Sequence, residues 1–374
     1  MKQALVIHPL FTVYGGGETV CLHVIKALQE VNYSVILASD NFSPKEVDER
    51  LGMGEILSRC RHFLLPKFNP RIRKFLAYRR LSHMSMLMRK MESLKPDIAF
   101  NTQSPTLFLR NAPNFSMIYD LAEFFALHTS GQFRTDALSS TARLPYEALV
   151  KRRLTPLANP AIAKRTFIPL SYLLEYQLKL FGYPHTPAVF PPCDLIFEPK
   201  RKKKRVVQVT RVFPNKRIED FIQIASRLRE YDFVIVGADT RTERLTHPKY
   251  LANLLSQKPE NMDYVEARIR HRPDLLEESK VYLYTSIEPG INISAAQALG
   301  AGCIPVTPVW GGGSELVHAA GKGYTYADID DAVNKVRQAL EDPASPEEIA
   351  NTAKIFGSDK FEQRIKEIVK HASP

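Results

Sequence analysis

Apolar residues first gather in a short run, Ala4-Leu5-Val6-Ile7, and then change their spacing. After glycines at 15–17, the stretch from Glu18 to Glu30 sets Val20, Val24, Ala27 and Leu28 at helical intervals. Ser34–Ala38, Asp97–Phe100 (after a Lys-Pro stop) and Phe115–Tyr119 read as further buried strands. The scheme then restarts. Arg205–Val209 is a β-branched run, Arg217–Leu228 is helical, and Asp232–Gly237 is a strand ending in glycine. Val281–Tyr284 and Cys303–Val306 add two strands around a helix at Ile293–Leu299. Strands alternating with helices predict an α/β fold with parallel sheets covered on both faces. Between the halves, Val189-Phe190-Pro191-Pro192-Cys193-Asp194 and the charge block after it mark a domain boundary. The expected architecture is two Rossmann-like domains facing each other across a cleft, with ligands beyond the carboxyl ends of the strands.

Length and composition agree with two soluble domains: 374 residues, 44% hydrophobic and 24% charged. No apolar stretch reaches the roughly 18 residues that span a bilayer. The opening run ends at His8-Pro9 and lacks a small-residue cleavage site, so it reads as a buried strand and not as a signal peptide. Cys21, Cys60, Cys193 and Cys303 lie far apart without CxxC spacing. They argue against a zinc site, give no disulfide framework, and make a reducing cytoplasm the default expectation.

Charge adds more. The chain carries a net +11, and from Arg59 to Lys90 there are ten Arg or Lys and no acid. Lys200 to Arg205 is a run of six basic residues. Such blocks imply phosphates, on nucleic acid or lipid headgroups. The chain has no RNP, zinc-finger or basic-zipper pattern, so no nucleic-acid partner is expected.

Four segments suit a phosphorylated ligand, three of them at strand ends of the second half. Gly15-Gly16-Gly17 joins a strand to a helix N-terminus, where backbone N–H groups and the helix dipole favour an anion. It does not match G-x-G-x-x-G, and a plain tight turn explains it as well. Arg211 and Lys216, five residues apart after a strand, can clamp a diphosphate, or can simply occupy a solvated basic loop. Glu288-Pro289-Gly290-Ile291-Asn292 opens the next helix, on which Gln297 can reach a ribose hydroxyl. A further glycine turn, Gly311-Gly312-Gly313, leads through Ser314 to Glu315 at a helix start.

On these residues the second half resembles the donor domain of the GT-B glycosyltransferases of family four. The shared features are Pro191-Pro192-x-Asp194, Arg211 with Lys216, the stretch Ala298 to Val306, and Gly311 or Gly312 with Glu315. The first half, with His8-Pro9 and Gly15-Gly16-Gly17-Glu18, is similar to the branch that mannosylates dolichol-linked oligosaccharides. The resemblance implies domains at 1–192 (acceptor) and 193–355 (donor), with a helix at 356–374 packing back on the first. It implies a hexosyltransferase, retaining and metal-independent, with no cofactor beside its nucleotide-sugar substrate. Gly16, Gly17, Arg211, Lys216, Glu288, Gly290, Asn292, Gln297 and Glu315 would bind the donor. The family has two glutamates separated by seven residues; here Gln297 takes the second position and Glu288 stands nine positions earlier, one step off register. The family often places a His after a first-domain strand, where this chain has Ile118-Tyr119-Asp120. Asp120 is the nearest candidate to position or deprotonate the acceptor hydroxyl, although an Asp there also caps a helix. His8 is the other catalytic candidate, at a position where a structural role is common.

Residues 71–91 read as a basic amphipathic helix. Ile72, Phe75, Leu76, Leu81, Met84, Leu87, Met88 and Met91 form its apolar face, with Arg73, Lys74, Arg79, Arg80, Arg89 and Lys90 elsewhere. Phe63 to Phe68 precedes it as an apolar loop. A membrane-surface helix and a core helix with a basic outer side fit equally. Both suit a polyprenyl (dolichyl) phosphate- or diphosphate-linked acceptor and peripheral association with the cytoplasmic membrane face. A sugar-nucleotide epimerase of similar fold would not need this segment. A non-catalytic partner subunit is the rival that Gln297 and the missing His support.

Overall fold

The structure, a computed structural model, describes residues 2–9, 11, 15–40, 42–65, 76–103, 108–119, 164–237 and 248–372. The chain divides into two compact units: Met1–Val189 with Phe361–Pro374, and Phe190–Lys360.

The first unit is built on a six-stranded sheet of β1 (Gln3–Ile7), β2 (Ser34–Ser39), β3 (Arg61–Leu64), β4 (Ile98–Asn101), β5 (Asn114–Ile118) and β6 (Arg165–Pro169). Its order is β3-β2-β1-β4-β5-β6, and every pairing is parallel. The central strands are buried along almost their whole length, as strands covered on both faces must be. Helix α1 (Gly16–Glu30) packs Val20, Val24, Ala27 and Leu28 on one face, and α2 (Pro44–Leu51) adds Val47 there. Helix α3 (Gly54–Ser58) completes that side with Leu57. On the other face, α4 (Leu76–Glu92) buries Leu87 and Met91 against Leu5, Ile7 and Ala99. Helix α5 (Tyr172–Leu180) buries Leu174 and Leu178 against Ile118 and Phe167.

The second unit repeats the plan with β7 (Lys203–Thr210), β8 (Asp232–Gly237), β9 (Met262–Glu266), β10 (Ser279–Leu283), β11 (Ile304–Pro308) and β12 (Tyr324–Tyr326). Its order, β12-β11-β10-β7-β8-β9, is the first sheet's order over again. Among the described residues, seven helices follow in chain order: α6 (Ile218–Arg227), α7 (Pro248–Ser256), α8 (Asp274–Glu277), α9 (Ile293–Gly300), α10 (Gly312–Ala320), α11 (Ile329–Glu341) and α12 (Pro346–Thr352). The last helix, α13 (Ser358–Ala372), begins at the end of this unit and returns the chain to the first. Phe361, Ile365 and Val369, one helical turn apart, enter the core around α1. His23 Nδ1 and Lys26 Nζ meet the Glu362 carboxylate at 2.7 and 2.8 Å, which fixes the helix in register.

Four strands escaped the sequence pattern. Phe63 to Leu64 closes an edge strand and is not a free apolar loop, because β3 is polar at its start and mostly exposed. β9 and β12 are edge strands too, and β6 opens on a buried arginine. Three cations of the basic run have carboxylate partners within the unit: Lys200 pairs with Glu277, Lys203 with Glu278 and Lys204 with Glu341. Lys202 is held by the carbonyls of Glu277 and Ala301. Arg73 and Lys74 lie outside the described residues, and so do the side chains of Arg79 and Arg80. Where α4 is described, its apolar side at Leu87 and Met91 is core, while Arg89 and Lys90 are exposed. Among the described residues, no helix is long and apolar enough to cross a membrane.

Candidate active site

In open parallel sheets of this order, a crevice forms where neighbouring strands send their crossovers to opposite faces. In the second unit that point lies between β7 and β10. The chain leaves β7 at Thr210 and makes a tight turn, Pro214–Lys216, closed by Arg217 in the left-handed region at φ 50°. A non-glycine residue there is strained and must be held by its surroundings. Hydroxyls at the end of β10 do the holding. Thr285 Oγ1 donates to the Lys216 carbonyl at 2.6 Å, and Ser286 Oγ donates to the Asn215 carbonyl at 3.1 Å. Gln208, fully buried in β7, steadies Thr285 from below at 3.0 Å.

This scaffold aims two side chains of the turn at one carboxylate. Lys216 Nζ pairs with Glu288 Oε2, and Asn215 Nδ2 donates to Glu288 Oε1 at 2.6 Å. Burial depresses the Lys216 ammonium below its ordinary range and the Arg211 charge adds to this, while Glu288 pulls the other way. Arg211 is exposed, its guanidinium 5.3 Å from the Phe213 ring centre. The two cations expected to act alike are therefore different: one is open to solvent, the other buried and already holding a carboxylate.

Helix α9 starts beside them. Asn292 is its N-cap, and its side chain accepts from the N–H groups of Ser294 and Ala295 and from the Ser294 hydroxyl. Its Oδ1 is thus engaged in capping the helix, which leaves the Nδ2 amide as the group with which this side chain would meet a donor. Gln297 is half-buried one turn further on. The loop 288–290 is backed by the glycine turn before α10. Gly312 N–H donates to the Glu288 carbonyl at 2.7 Å. A Cβ on Gly311 would meet the same carbonyl at 2.6 Å, and one on Gly312 would lie 2.6 Å from the Ile291 nitrogen. Gly311, at φ 90°, also needs glycine's conformational freedom. The glycines thus let two strand-end loops touch, and Glu315, half-buried, stands in the first turn of α10.

The first unit has the corresponding point between β1 and β4. His8 is buried at the end of β1, with Nδ1 2.9 Å from the Thr102 hydroxyl beyond β4. Its ring lies under the α1 N-terminus, 3.9 Å from where a Cβ on Gly17 would sit. Gly16 is exposed in that turn, and Glu18 caps it by accepting from the Gly15 N–H at 2.9 Å. The structure brings His8, Gly16 and Gly17 together; Asp120 lies outside the described residues. Tyr119 donates to the Thr102 carbonyl at 2.9 Å, and burial holds its hydroxyl well above the ordinary pKa. Sequence reasoning overlooked Thr102, Gln208, Thr285 and Ser286. Gln208 is a lone polar residue inside an apolar strand, and Thr102, Thr285 and Ser286 lie in short polar stretches just after strands; that position was their only signal.

Residues 196–356, most of the second unit, match the family described as Glycosyl transferases group 1. No protein of curated function matches the chain in sequence. Among solved structures, Anabaena Alr3699/HepE in complex with UDP and glucose superposes with a TM-score of 0.70 at 14% identity, covering 99% of this chain and 100% of that one. Sucrose-phosphate synthase from Thermosynechococcus elongatus gives 0.65 at 15%, with 99% of each chain covered. A mutant S. aureus TarM in complex with Fondaparinux, alpha-GlcNAc-glycerol and UDP gives 0.66 at 12%, covering 100% of this chain and 99% of that one. The fold is the GT-B fold of these structures, and the matched residues lie within its second unit. Arg211, Lys216, Glu288, Gly290, Asn292, Gln297 and Glu315 all lie within the matched residues.

Proposed function

We propose that this chain transfers a hexose from a nucleotide-sugar, UDP-linked by preference over GDP-linked, to a polyprenyl phosphate- or diphosphate-linked acceptor at a membrane surface. The carrying observation is the β7–β10 crevice, where Arg211, the buried Lys216 and the N-terminal turns of α9 and α10 converge on one strand edge. A diphosphate bound there meets an open cation in Arg211 and exchanges with Glu288 for the ammonium of Lys216. Negative charge grows on the departing diphosphate as the sugar leaves, and preorganised cations and N–H groups stabilise it where water is scarce. The reaction is retaining, with the leaving phosphate helping to accept the acceptor proton and His8 or Asp120 positioning the acceptor. Neither a metal nor a cofactor is required. UDP in the Anabaena and S. aureus structures supports the choice of base. The acid-free basic segment from Arg59 to Lys90 supports the lipid-linked acceptor, and His8-Pro9 with Gly15–Glu18 supports the dolichol-type branch.

Thermal-shift titration with UDP, GDP, ADP and their sugar conjugates tests the reading. Stabilisation by UDP that disappears in Arg211→Ala is expected. Gln297, where a charge-assisted bond to the ribose is lost, favours a second reading, a non-catalytic partner subunit. No stabilisation by any nucleotide at millimolar concentration selects that alternative.

A further inference from the structure

Helix α5 is inverted relative to an ordinary surface helix. Its buried side is narrow, Leu174 and Leu178, and its outer side is apolar as well. Tyr176 is 64% exposed and Leu180 66%, with Tyr172, Leu173 and Phe181 also exposed around them. At roughly 100° per residue, Tyr172, Tyr176, Leu180 and Leu173 fall within one arc opposite Leu174 and Leu178. A contiguous exposed apolar patch of this kind marks an interaction surface.

Strand alternation fixes which way the patch faces. Ala4, Val6, Phe115 and Met117 point to the α1 side of the first sheet. Leu5 and Ile7 point the other way, to α4, and Ile118 and Phe167 likewise to α5. Helices α4 and α5 therefore cover the same face, and their outer sides turn away from it together. On α4 that outer side carries Arg89, opposite Leu87 and Met91, with Lys90 exposed next to it. An apolar, tyrosine-bearing stripe and two exposed cations thus lie on one side of one sheet.

We propose that the outer face of α5, together with the exposed cations of α4, docks this chain onto an anionic bilayer surface. The inference rests on the membrane-surface reading above and moves its apolar half from α4, whose Leu87 and Met91 are core, to α5. Tyrosine suits the headgroup region because the ring enters the apolar boundary while the hydroxyl stays wet. Apolar insertion and attraction to anionic lipid add, and neither alone gives stable attachment.

Co-sedimentation of the full chain with phosphatidylcholine vesicles, with and without phosphatidylglycerol, tests this. Tyr176→Ser with Leu180→Ser, which removes apolar surface without adding charge, should lower partition to the anionic vesicles at least about tenfold, at low and high salt alike. Arg89→Gln with Lys90→Gln should lower it at low salt only, because salt screens exposed charge. Ile355→Asp, an exposed apolar site in the other unit, should change nothing. Melting temperatures within a few degrees of wild type keep misfolding out of the comparison. Undiminished partition in the α5 variant overturns the assignment to α5 alone. Absence of wild-type partition overturns the membrane reading with it, and the nucleotide titration still decides the donor site. A wild-type dimer dissolved by the α5 substitutions, without vesicle binding, assigns the face to a second copy of the chain and overturns the proposal.

Discussion

Lys216 and Glu288, 72 residues apart in sequence, form one ion pair that ties the turn after β7 to the loop after β10. Both elements of the proposed diphosphate clamp hang on this link. Lys216→Ala should abolish nucleotide stabilisation and lower sugar transfer at least about 100-fold, the scale of losing one charge-stabilising donor. Folding stability should drop by only about 1–2 kcal/mol, since Glu288 is partly solvated and keeps its bond to Asn215. Chemical denaturation and initial rates measure the two effects separately. Turnover within about threefold of wild type would sink the clamp.

Gly312→Ala tests the contact between the two loops. The added methyl meets the backbone of Gly290 and Ile291, which cannot swing aside as a side chain can. Overpacking of this kind costs about 1–3 kcal/mol. The variant should melt lower and lose nucleotide affinity together. A lower melting point with unchanged affinity would show that the 288–290 loop is not part of the site.

Gln297→Glu supplies the carboxylate found in the resembling family. If this side chain meets ribose hydroxyls, the charge-assisted bond should tighten UDP binding about three- to tenfold in calorimetry. Unchanged affinity would remove Gln297 from the site.

Trp310 is the sole tryptophan, 73% exposed, and it precedes Gly311, whose backbone packs on Ile287 beside Glu288. Its fluorescence should shift on titration with a UDP-sugar and saturate at the affinity found by thermal shift. A silent tryptophan at saturating donor would put the sugar away from the β11 edge.

Glu362 gives a pH prediction. Burial alone would raise its pKa, but bonds to His23 and Lys26 outweigh burial and hold it below the ordinary 4.5. Its stabilising contribution is therefore complete above the unfolded carboxylate's pKa and is lost as pH falls through the depressed folded value. Glu362→Gln should cost about 1–3 kcal/mol at pH 7, with the gap to wild type closing under acid. Denaturant titrations at several pH values would show it; a constant gap would mean that His23 and Lys26 are not what hold this carboxylate ionised.

Much of the fold was legible because buried parallel strands write themselves as unbroken apolar runs. Ala4–Ile7, Ser34–Ala38 and Asp232–Gly237 needed no context. The edge strands β3, β9 and β12 did need it, since a strand with one neighbour tolerates polar residues. In the site, Lys216 and Glu288 were legible as residue types at strand ends, but their pairing was not, because nothing local links positions so far apart. The same holds for Lys200–Arg205: its ion pairs with Glu277, Glu278 and Glu341, which arrive from elsewhere in the chain, have no local signal. Asn292 precedes a helical run, so its capping of α9 is a role that the sequence pattern allows.

The return of α13 to the first unit bears on how the protein can be dissected. A fragment ending at Val189 would lack Phe361, Ile365 and Val369, leaving a slot in its core and His23 without Glu362. The second unit is an insertion within the first, entered near Phe190 and left near Lys360. Neither terminal truncation nor a single proteolytic cut can separate intact halves. Fragment complementation, or a circular permutant joining α13 to the N-terminus, would be the way to obtain the first unit alone.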